Sequence, residues 1–262
     1  MKESKSLIHP SAIIDPSAVL AAGVSVGPWT IIGPGVEIGE NSTIASHVVI
    51  KGPCKMGRNN QIFQFCSIGE DCQDKKYNGE RTYLHIGDDN VFRESCTIHR
   101  GTVQDKSLTQ IGNRNLFMVN VHVAHDCVIG DDVIMANNCA AAGHVKISDR
   151  AILGGFTAVH QFCHIGTSVM CAAGTVIFKD IPAFVMSAGN PAKPHGINAE
   201  GLRRNGFTPE SIAQIKRAYK IIYRQQLSSE VAIDKVADMV VDTPQLEPLL
   251  LSLQLSTRGI IR

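Results

Sequence analysis

An aliphatic residue returns every sixth position along most of this chain, and few folds can accommodate that period. The series runs Ile8, Ile14, Leu20, Val26, Ile32, Ile38, Ile44, Ile50, Met56, Ile62 and Ile68, then returns in phase at Ile86, Phe92 and Ile98. After one further break it shifts by one residue and continues from Ile111 through Phe117, Val123, Ile129, Met135, Ala141, Ile147, Leu153, Val159, Ile165 and Cys171 to Ile177. A period of six suits neither an amphipathic helix nor a simple alternating strand. It suits a short strand followed by a corner, repeated: the aliphatic side chain points inward and a small residue four places on (Ala12, Ala18, Thr30, Ser42, Cys54, Cys66) lets the corner close. Glycine follows the aliphatic residue ten times, as in Val26-Gly27, Ile38-Gly39 and Ile129-Gly130, and is expected there for its backbone freedom. Three faces close a triangle, so one coil takes eighteen residues. The twenty-six hexads then make about nine coils at the strand spacing, a prism about 40–45 Å long. An ordinary sandwich of short strands would not hold phase over eleven consecutive hexads, so the expected fold is mainly β, a parallel β-helix.

Two stretches break the phase and are expected to be loops thrown out of the solenoid, at about 69–85 and 100–110. The first, with Asp71, Gln73, Asp74, Lys75, Lys76, Tyr77 and Glu80, is the one expected to carry function, because it offers both an acceptor and a cation. The second accounts for the one-residue shift. The repeat stops near Ser187-Ala188-Gly189-Asn190-Pro191-Ala192. Beyond it Thr208-Pro209-Glu210 marks a helix start, and Ile212, Ile215, Tyr219 and Ile222 form an apolar stripe. Two further helical patterns follow, around 231–240 and 246–253. The domains are therefore expected at 1–195, the β-helix with its two loops, and 196–262, a small C-terminal α-helical domain that caps the open end.

Composition narrows the partners. The chain has 262 residues and a net charge of +1, which excludes a strong general attraction to nucleic acid or to an anionic membrane. Between Lys193 and Arg224, however, seven Lys/Arg face two Asp/Glu. The eight cysteines lack paired spacing, and Cys54, Cys66 and Cys171 occupy hexad positions for small apolar residues, so they are read as small hydrophobes in a reducing compartment. The first residues are polar with no apolar stretch behind them, and no run approaches the ~20 apolar residues of a membrane span. A cytoplasmic protein without membrane insertion is expected.

Counting by eighteens stacks residues in columns. His125 falls under Gly143 and Gly143 under Gln161; Asp126 falls under His144, with Phe162 above; Ala124, Ala142 and His160 share a column. Three coils thus carry four of the ten histidines on one side, with His122 the fourth member beside His125, His144 and His160. Taken singly, any of these histidines has an ordinary structural use, and Asn120 with Asn138, also eighteen apart, reads as a structural amide ladder. Together they point to a site. An imidazole with a pKa near ~6.5 can take a hydroxyl proton at neutral pH, a carboxylate such as Asp126 can orient it, and the N–H of Gly143 is open to a substrate carbonyl. That set suits acyl transfer by direct attack of a substrate hydroxyl, with Cys127 only a small wall residue. A zinc site using His122 and His125 is the rival chemistry, with a smaller share.

The hexads, His122-x-x-His125-Asp126, Ala142-Gly143-His144, His160-Gln161-Phe162, Gly189-Asn190-Pro191-Ala192, Glu200-Gly201-Leu202 and Ser256-Thr257-Arg258-Gly259 together resemble the bacterial acyl-[acyl-carrier-protein]–UDP-N-acetylglucosamine O-acyltransferases over essentially the whole length. Hexads alone are shared by many acyl- and acetyltransferases, whereas the combination with this C-terminal domain is specific. The resemblance implies a left-handed coil, an exception to the usual right-handed crossover, and a homotrimer with sites between subunits. It implies transfer of a (3R)-hydroxyacyl group from acyl carrier protein, which carries it as a thioester, to the glucosamine 3-hydroxyl of UDP-N-acetylglucosamine, with no cofactor and no metal. His125 would be the base, Asp126 its partner and the Gly143 N–H the oxyanion donor. Asp74, His122, His144, His160 and Gln161 would hold the sugar and the reacting centre, with Gln73, Lys76 and His99 close by, and Asn198, Glu200 and Arg204 would meet the nucleotide and phosphates. Met170, Ala172 and Ala173 would line the acyl groove. The basic stretch would receive an acidic carrier protein. Two positions depart from the family's habit: Asn205 replaces a second basic residue after Arg204, and Ala173 stands where glycine is common, which should shorten the groove. Three other expectations stand beside this one. A relative using acetyl-CoA or an amine acceptor is one, although the amine-acylating relative carries an extra N-terminal domain and the hexads here begin at Ile8. A zinc hydratase and a purely structural solenoid are the others.

Overall fold

The computed structural model describes residues 7–262; the polar start of the chain, on which part of the localisation argument rested, lies outside the described residues apart from Leu7. Two-residue strands alternate with tight corners, and each strand pairs in parallel with the strand one coil above it, as in Ile13↔Ile31 and His122↔Ala140. Among the described residues the three faces hold nine, eight and ten strands. The tenth on the last face is Lys193–Ile197, which runs antiparallel to Val185–Ala188 and crosses the expected 195/196 boundary. The chain is therefore a three-sided parallel β-helix of the expected number of coils.

The hexad aliphatics line the interior: Ile32, Ile50, Phe92, Phe117, Val123, Met135 and Leu153 are all fully buried. Phe92 and Phe117 stack with ring centroids 4.8 Å apart, one strand spacing. All eight cysteines are buried and unpaired, as small hydrophobes should be.

The corner works differently from the sequence expectation. The residue that takes positive φ is the third after the aliphatic one, and it is mostly not glycine: Trp29, Asn41, Asp126, His144 and Phe162 all have φ between 57° and 64°. Of the ten glycines that follow the aliphatic residue, only Gly69 has positive φ. Apart from Gly33, the others are required by space. A Cβ on Gly27 would sit 2.8 Å from the carbonyl carbon of Ala45, and one on Gly39 would sit 2.5 Å from that of Gly57, both in the next coil. The consequence for function is that Asp126 and His144 occupy the sharpest point of the corner, where a side chain is thrown outward along one edge of the prism.

Two coils are long. Ser67 pairs with Thr97, thirty residues on rather than eighteen, and Thr97 pairs with His122, twenty-five on, so the two insertions add twelve and seven residues. Both emerge on the edge that carries Asp126. At the end of the solenoid come α1 (Ala199–Arg204), α2 (Pro209–Arg224), α3 (Ser229–Asp242) and α4 (Glu247–Gln254). The Thr208 hydroxyl accepts from the Ser211 N–H and starts α2 as expected. Ile215, Tyr219 and Ile222 of its stripe are buried, with Ile212 packed alongside. Ala183 and Phe184 of the last coil share a core with Leu202, Ile215, Val236 and Leu249, so the helices seal that end. No helix among the described residues is long and apolar enough to cross a membrane.

Candidate active site

The site grows from one corner. The strand His122–Val123 places His122 outward and Val123 inward, and the chain then turns through Ala124, His125 and Asp126. The His125 Nδ1 lies 2.8 Å from Asp126 Oδ2, with 17% of the imidazole and none of the carboxylate accessible. Burial pushes the Asp126 carboxyl up, but hydrogen bonds from His125 and Thr102 outweigh it and hold the group below the usual carboxylate range. An ionised Asp126 can only accept, so the proton of the neutral imidazole sits on Nδ1 and the lone pair on Nε2 is free.

One coil above, Gly143 lies against that ring. A Cβ there would fall 2.5 Å from His125 Cε1 and 2.6 Å from Nε2, so glycine is needed for the imidazole to occupy its place. The Gly143 N–H donates to no acceptor among the described residues. Next to it, His144 meets the His125 ring edge-on with centroids 5.0 Å apart and stacks on Phe162 at 4.4 Å. Residues eighteen apart are thus neighbours at His125–Gly143 and His144–Phe162.

The first insertion arches over the same edge. Gln73 Nε2 lies 3.4 Å from His99 Nε2, and the Asp74 carboxylate accepts the backbone N–H of Lys76. Arg100, nearly buried, ties the loop down by donating to the Gly69 carbonyl, the Asp71 carboxylate and the Tyr77 hydroxyl. His99 and His122 meet edge-on at 5.1 Å. Burial, helped by the neighbouring His122, pushes His99 down to about 4, and burial followed by the charge of His125 also lowers His122. Both are therefore neutral near pH 7, and the Thr97 hydroxyl lies 2.8 Å from His122 Nδ1.

Two clefts meet at Asp74 and His125. One is polar and is lined by Lys76, Thr102, Asp105, His144, Gln161 and Phe162. The other runs over a smooth floor of Ala124, Ala140, Ala142 and Ala158, past Gln73, His99, His122 and Gly143. His160 stands just beyond, its Nδ1 3.1 Å from the Gln161 carbonyl. Of the alanine floor only Ala124 and Ala142 were placed from the sequence, in the His160 column; Ala140, Ala158, Thr102, Gln104 and Asp105 were not singled out. The alanines lie in the histidine columns and were within reach of the same arithmetic, whereas the loop residues lie outside any column.

Besides His160, six expected residues lie off these clefts. Asn198 caps α1, accepting from the Gly201 N–H and donating to the Ser168 carbonyl. Glu200 pairs with Arg203 and Arg204 on the exposed side of α1. Met170, Ala172 and Ala173 sit at the next edge of the prism, where the Ala172 carbonyl accepts from Thr175. As for metal, donor atoms of His125, Asp126 and His144 lie within 4.8 Å of one another. The Asp126 oxygens are already taken by the Thr102 N–H and hydroxyl and by His125, an arrangement built to hold a proton donor rather than to leave a ligand free. The same atoms can deprotonate a hydroxyl at Nε2 of His125 while the Gly143 N–H receives a carbonyl oxygen alongside.

The family described as UDP N-acetylglucosamine O-acyltransferase, domain 2, matches residues 180–261, and the bacterial transferase hexapeptide repeat matches residues 5–39 and 108–140. An acyl-[acyl-carrier-protein]–UDP-N-acetylglucosamine O-acyltransferase of Stutzerimonas stutzeri (strain A1501) is 56% identical over 257 residues, 98% of this chain and 100% of that protein. The crystal structure of the UDP-N-acetylglucosamine O-acyltransferase of Moraxella catarrhalis RH4 superposes with a TM-score of 0.96 at 48% identity, covering 98% of this chain and 100% of that one. The Francisella novicida UDP-N-acetylglucosamine acyltransferase gives 0.96 at 41% identity, over 97% and 94% of the two chains. The coil is accordingly left-handed.

Proposed function

Because the chain belongs to the family of acyl-[acyl-carrier-protein]–UDP-N-acetylglucosamine O-acyltransferases, whose reaction is the first step of lipid A biosynthesis, we propose that it performs this acyl transfer with His125 as general base. The chain is an acyltransferase; the assignment of roles to its residues is our own. The observation that carries it is the position of the His125 imidazole, anchored at Nδ1 by a buried carboxylate and pressed against a glycine whose N–H has no acceptor among the described residues.

The acceptor is the glucosamine 3-hydroxyl of UDP-N-acetylglucosamine, and the donor is a (3R)-hydroxyacyl thioester on acyl carrier protein. His125 Nε2 takes the hydroxyl proton as the oxygen attacks the thioester carbonyl. A C–O bond forms, the oxyanion accepts from the Gly143 N–H, and Asp126 stabilises the imidazolium. On collapse the C–S bond breaks and the imidazolium returns its proton to the departing thiolate. No covalent enzyme intermediate and no cofactor enters. Asp74, Lys76, His144 and Gln161 bind the sugar in the polar cleft; His99 and His122, kept neutral, line the alanine-floored cleft without adding charge beside the reacting centre.

Asn198, Glu200 and Arg204, and the acyl-groove residues Met170, Ala172 and Ala173, lie off the clefts of their own chain. A homotrimer with sites between subunits would bring such residues to a neighbour's site, and it is the assembly we propose. The basic stretch from Lys193 to Arg224 is the landing surface for the acidic carrier, and the unpaired buried cysteines fit a cytoplasmic setting.

The test is a reaction of the purified protein with UDP-N-acetylglucosamine and acyl carrier protein thioesters of several chain lengths, with the product identified by mass and by the site of the ester. An ester on the 3-hydroxyl is expected. Amide formation, or preference for acetyl-CoA, would overturn the assignment in favour of a related acyltransferase.

A further inference from the structure

We infer that the insertion between the strands Thr97–His99 and Leu108–Ile111, which lengthens its coil by seven residues, is a positioning element of the reaction, and that Thr102 within it holds the Asp126–His125 pair in its proton-accepting arrangement. The inference rests on His125 being the base and adds to that reading a group outside the solenoid wall.

At most other corners the positive-φ side chain is at least partly exposed, as at Asn41 and Arg150; Ser168 and Phe184, beside the C-terminal helices, are the other buried ones among the described residues. At Asp126 the side chain is inaccessible, because the insertion folds over it. The neck of the loop is pinched at Gly101, where a Cβ would collide with the backbone of Ser107 and Leu108. The Thr102 carbonyl then accepts from both Asp105 N–H at 3.2 Å and Ser107 N–H at 3.0 Å, which fixes the Thr102 backbone in a tight turn. From there its N–H donates to Asp126 Oδ1 at 2.9 Å and its hydroxyl to Oδ2 at 2.6 Å. In the strand that follows, Thr109 Oγ1 accepts the Asp126 N–H at 2.8 Å. The insertion and the strand after it thus grip one residue.

The hydroxyl bond has a chemical consequence. Asp126 Oδ2 serves Thr102 and His125 Nδ1 at once, so the hydroxyl disperses charge that would otherwise draw the imidazole proton. Remove it, and Asp126 stabilises the imidazolium more strongly, raising the proton affinity of His125. The ring also loses its fixed aim. The same loop holds the second imidazole: Asp105 Oδ2 lies 3.1 Å from His144 Nδ1, which places that proton on Nδ1 and leaves Nε2 facing Asp126 at 3.9 Å.

The test compares kcat, KM and pH–rate profiles of the full-length enzyme with those of Thr102→Val, Thr102→Ser and His125→Ala. Thr102→Val is expected to lower kcat roughly tenfold, to leave KM for the nucleotide sugar within about twofold, and to move the acidic limb of kcat/KM to higher pH, since the base must be neutral to act. Thr102→Ser keeps the hydroxyl and is expected to restore both. Asp105→Ala, in a side chain 41% exposed, is expected to fold normally and to lose the Nδ1–H signature of His144 in nitrogen-15 spectra. A Thr102→Val enzyme with wild-type kcat and an unmoved limb overturns the inference, as does a loss that serine does not repair. If His125→Ala is inactive while Thr102→Val is silent, the inference alone fails; if His125→Ala retains turnover, the reading beneath it fails.

Discussion

Alanine in place of Gly143 is the sharpest steric test of the site. The added methyl would stand 2.5 Å from His125 Cε1, 2.6 Å from Nε2 and 3.2 Å from Nδ1. Carbon contacts settle at about 3.5–4.0 Å, so the ring must retreat by roughly 1 Å. Gly143 is not among the residues with positive φ, so alanine meets no backbone strain there. The peptide N–H is also retained, and loss of the oxyanion donor would not account for an effect. The cost falls on the imidazole, which is held by Asp126 on one side and abuts the His144 ring on the other. A misplacement of about 1 Å costs on the order of a hundredfold in rate, which is about 2.7 kcal/mol of barrier. The assay is steady-state transfer from the carrier thioester to UDP-N-acetylglucosamine, with a thermal melt of the same sample. A kcat about a hundredfold lower in a folded protein is expected. A folded Gly143→Ala enzyme with wild-type kcat would show that His125 does not need its place and would refute the base assignment.

Other perturbations have defined outcomes. His99 is pushed down to about 4 from its ordinary 6.5, so its contribution to stability is complete above pH 6.5 and is lost as pH falls from there toward 4. The loss is about 1.4 kcal/mol per pH unit for one such group, and urea melts of His99→Gln should show a correspondingly shallower decline than wild type. Thr208→Ala removes the cap that accepts from the Ser211 N–H and should cost about 1 kcal/mol in a melt with kcat unchanged, since no residue of α2 lines either cleft. Exhaustive chelation should leave turnover unaltered; activity lost to chelator and restored by zinc would revive the metal reading of His125, Asp126 and His144.

The wall was legible because a solenoid is nearly one-dimensional. Once Val123, Ile129 and Met135 establish phase, addition by eighteen places Gly143 on His125 and Phe162 on His144, and the structure has those neighbours. The Asn120–Asn138 ladder follows from the same sum, with the two amides 2.8 Å apart. Helix α2 was readable from its cap and stripe, whereas α1, six residues long, has no room for a period to show. The glycine rule failed because hexad spacing reveals that a glycine recurs without revealing whether space or φ demands it. The insertions lie where the breaks in phase put them, but their side chains could not be aimed from the sequence: Thr102 and Asp105 are oriented by the loop's own hydrogen bonds, such as Ser107 N–H to the Thr102 carbonyl, and no column predicts those. The first loop carries the charges, but it is the second, visible in the sequence only as a slip in phase, that encloses the carboxylate.

The most direct measurement is the single-turnover rate of His125→Ala on pre-bound UDP-N-acetylglucosamine and carrier thioester, which isolates the chemical step from binding and release. Base catalysis by His125 predicts a rate lower by about 10²–10⁴ with the nucleotide sugar still bound. A chemical step within a few-fold of wild type would contradict it.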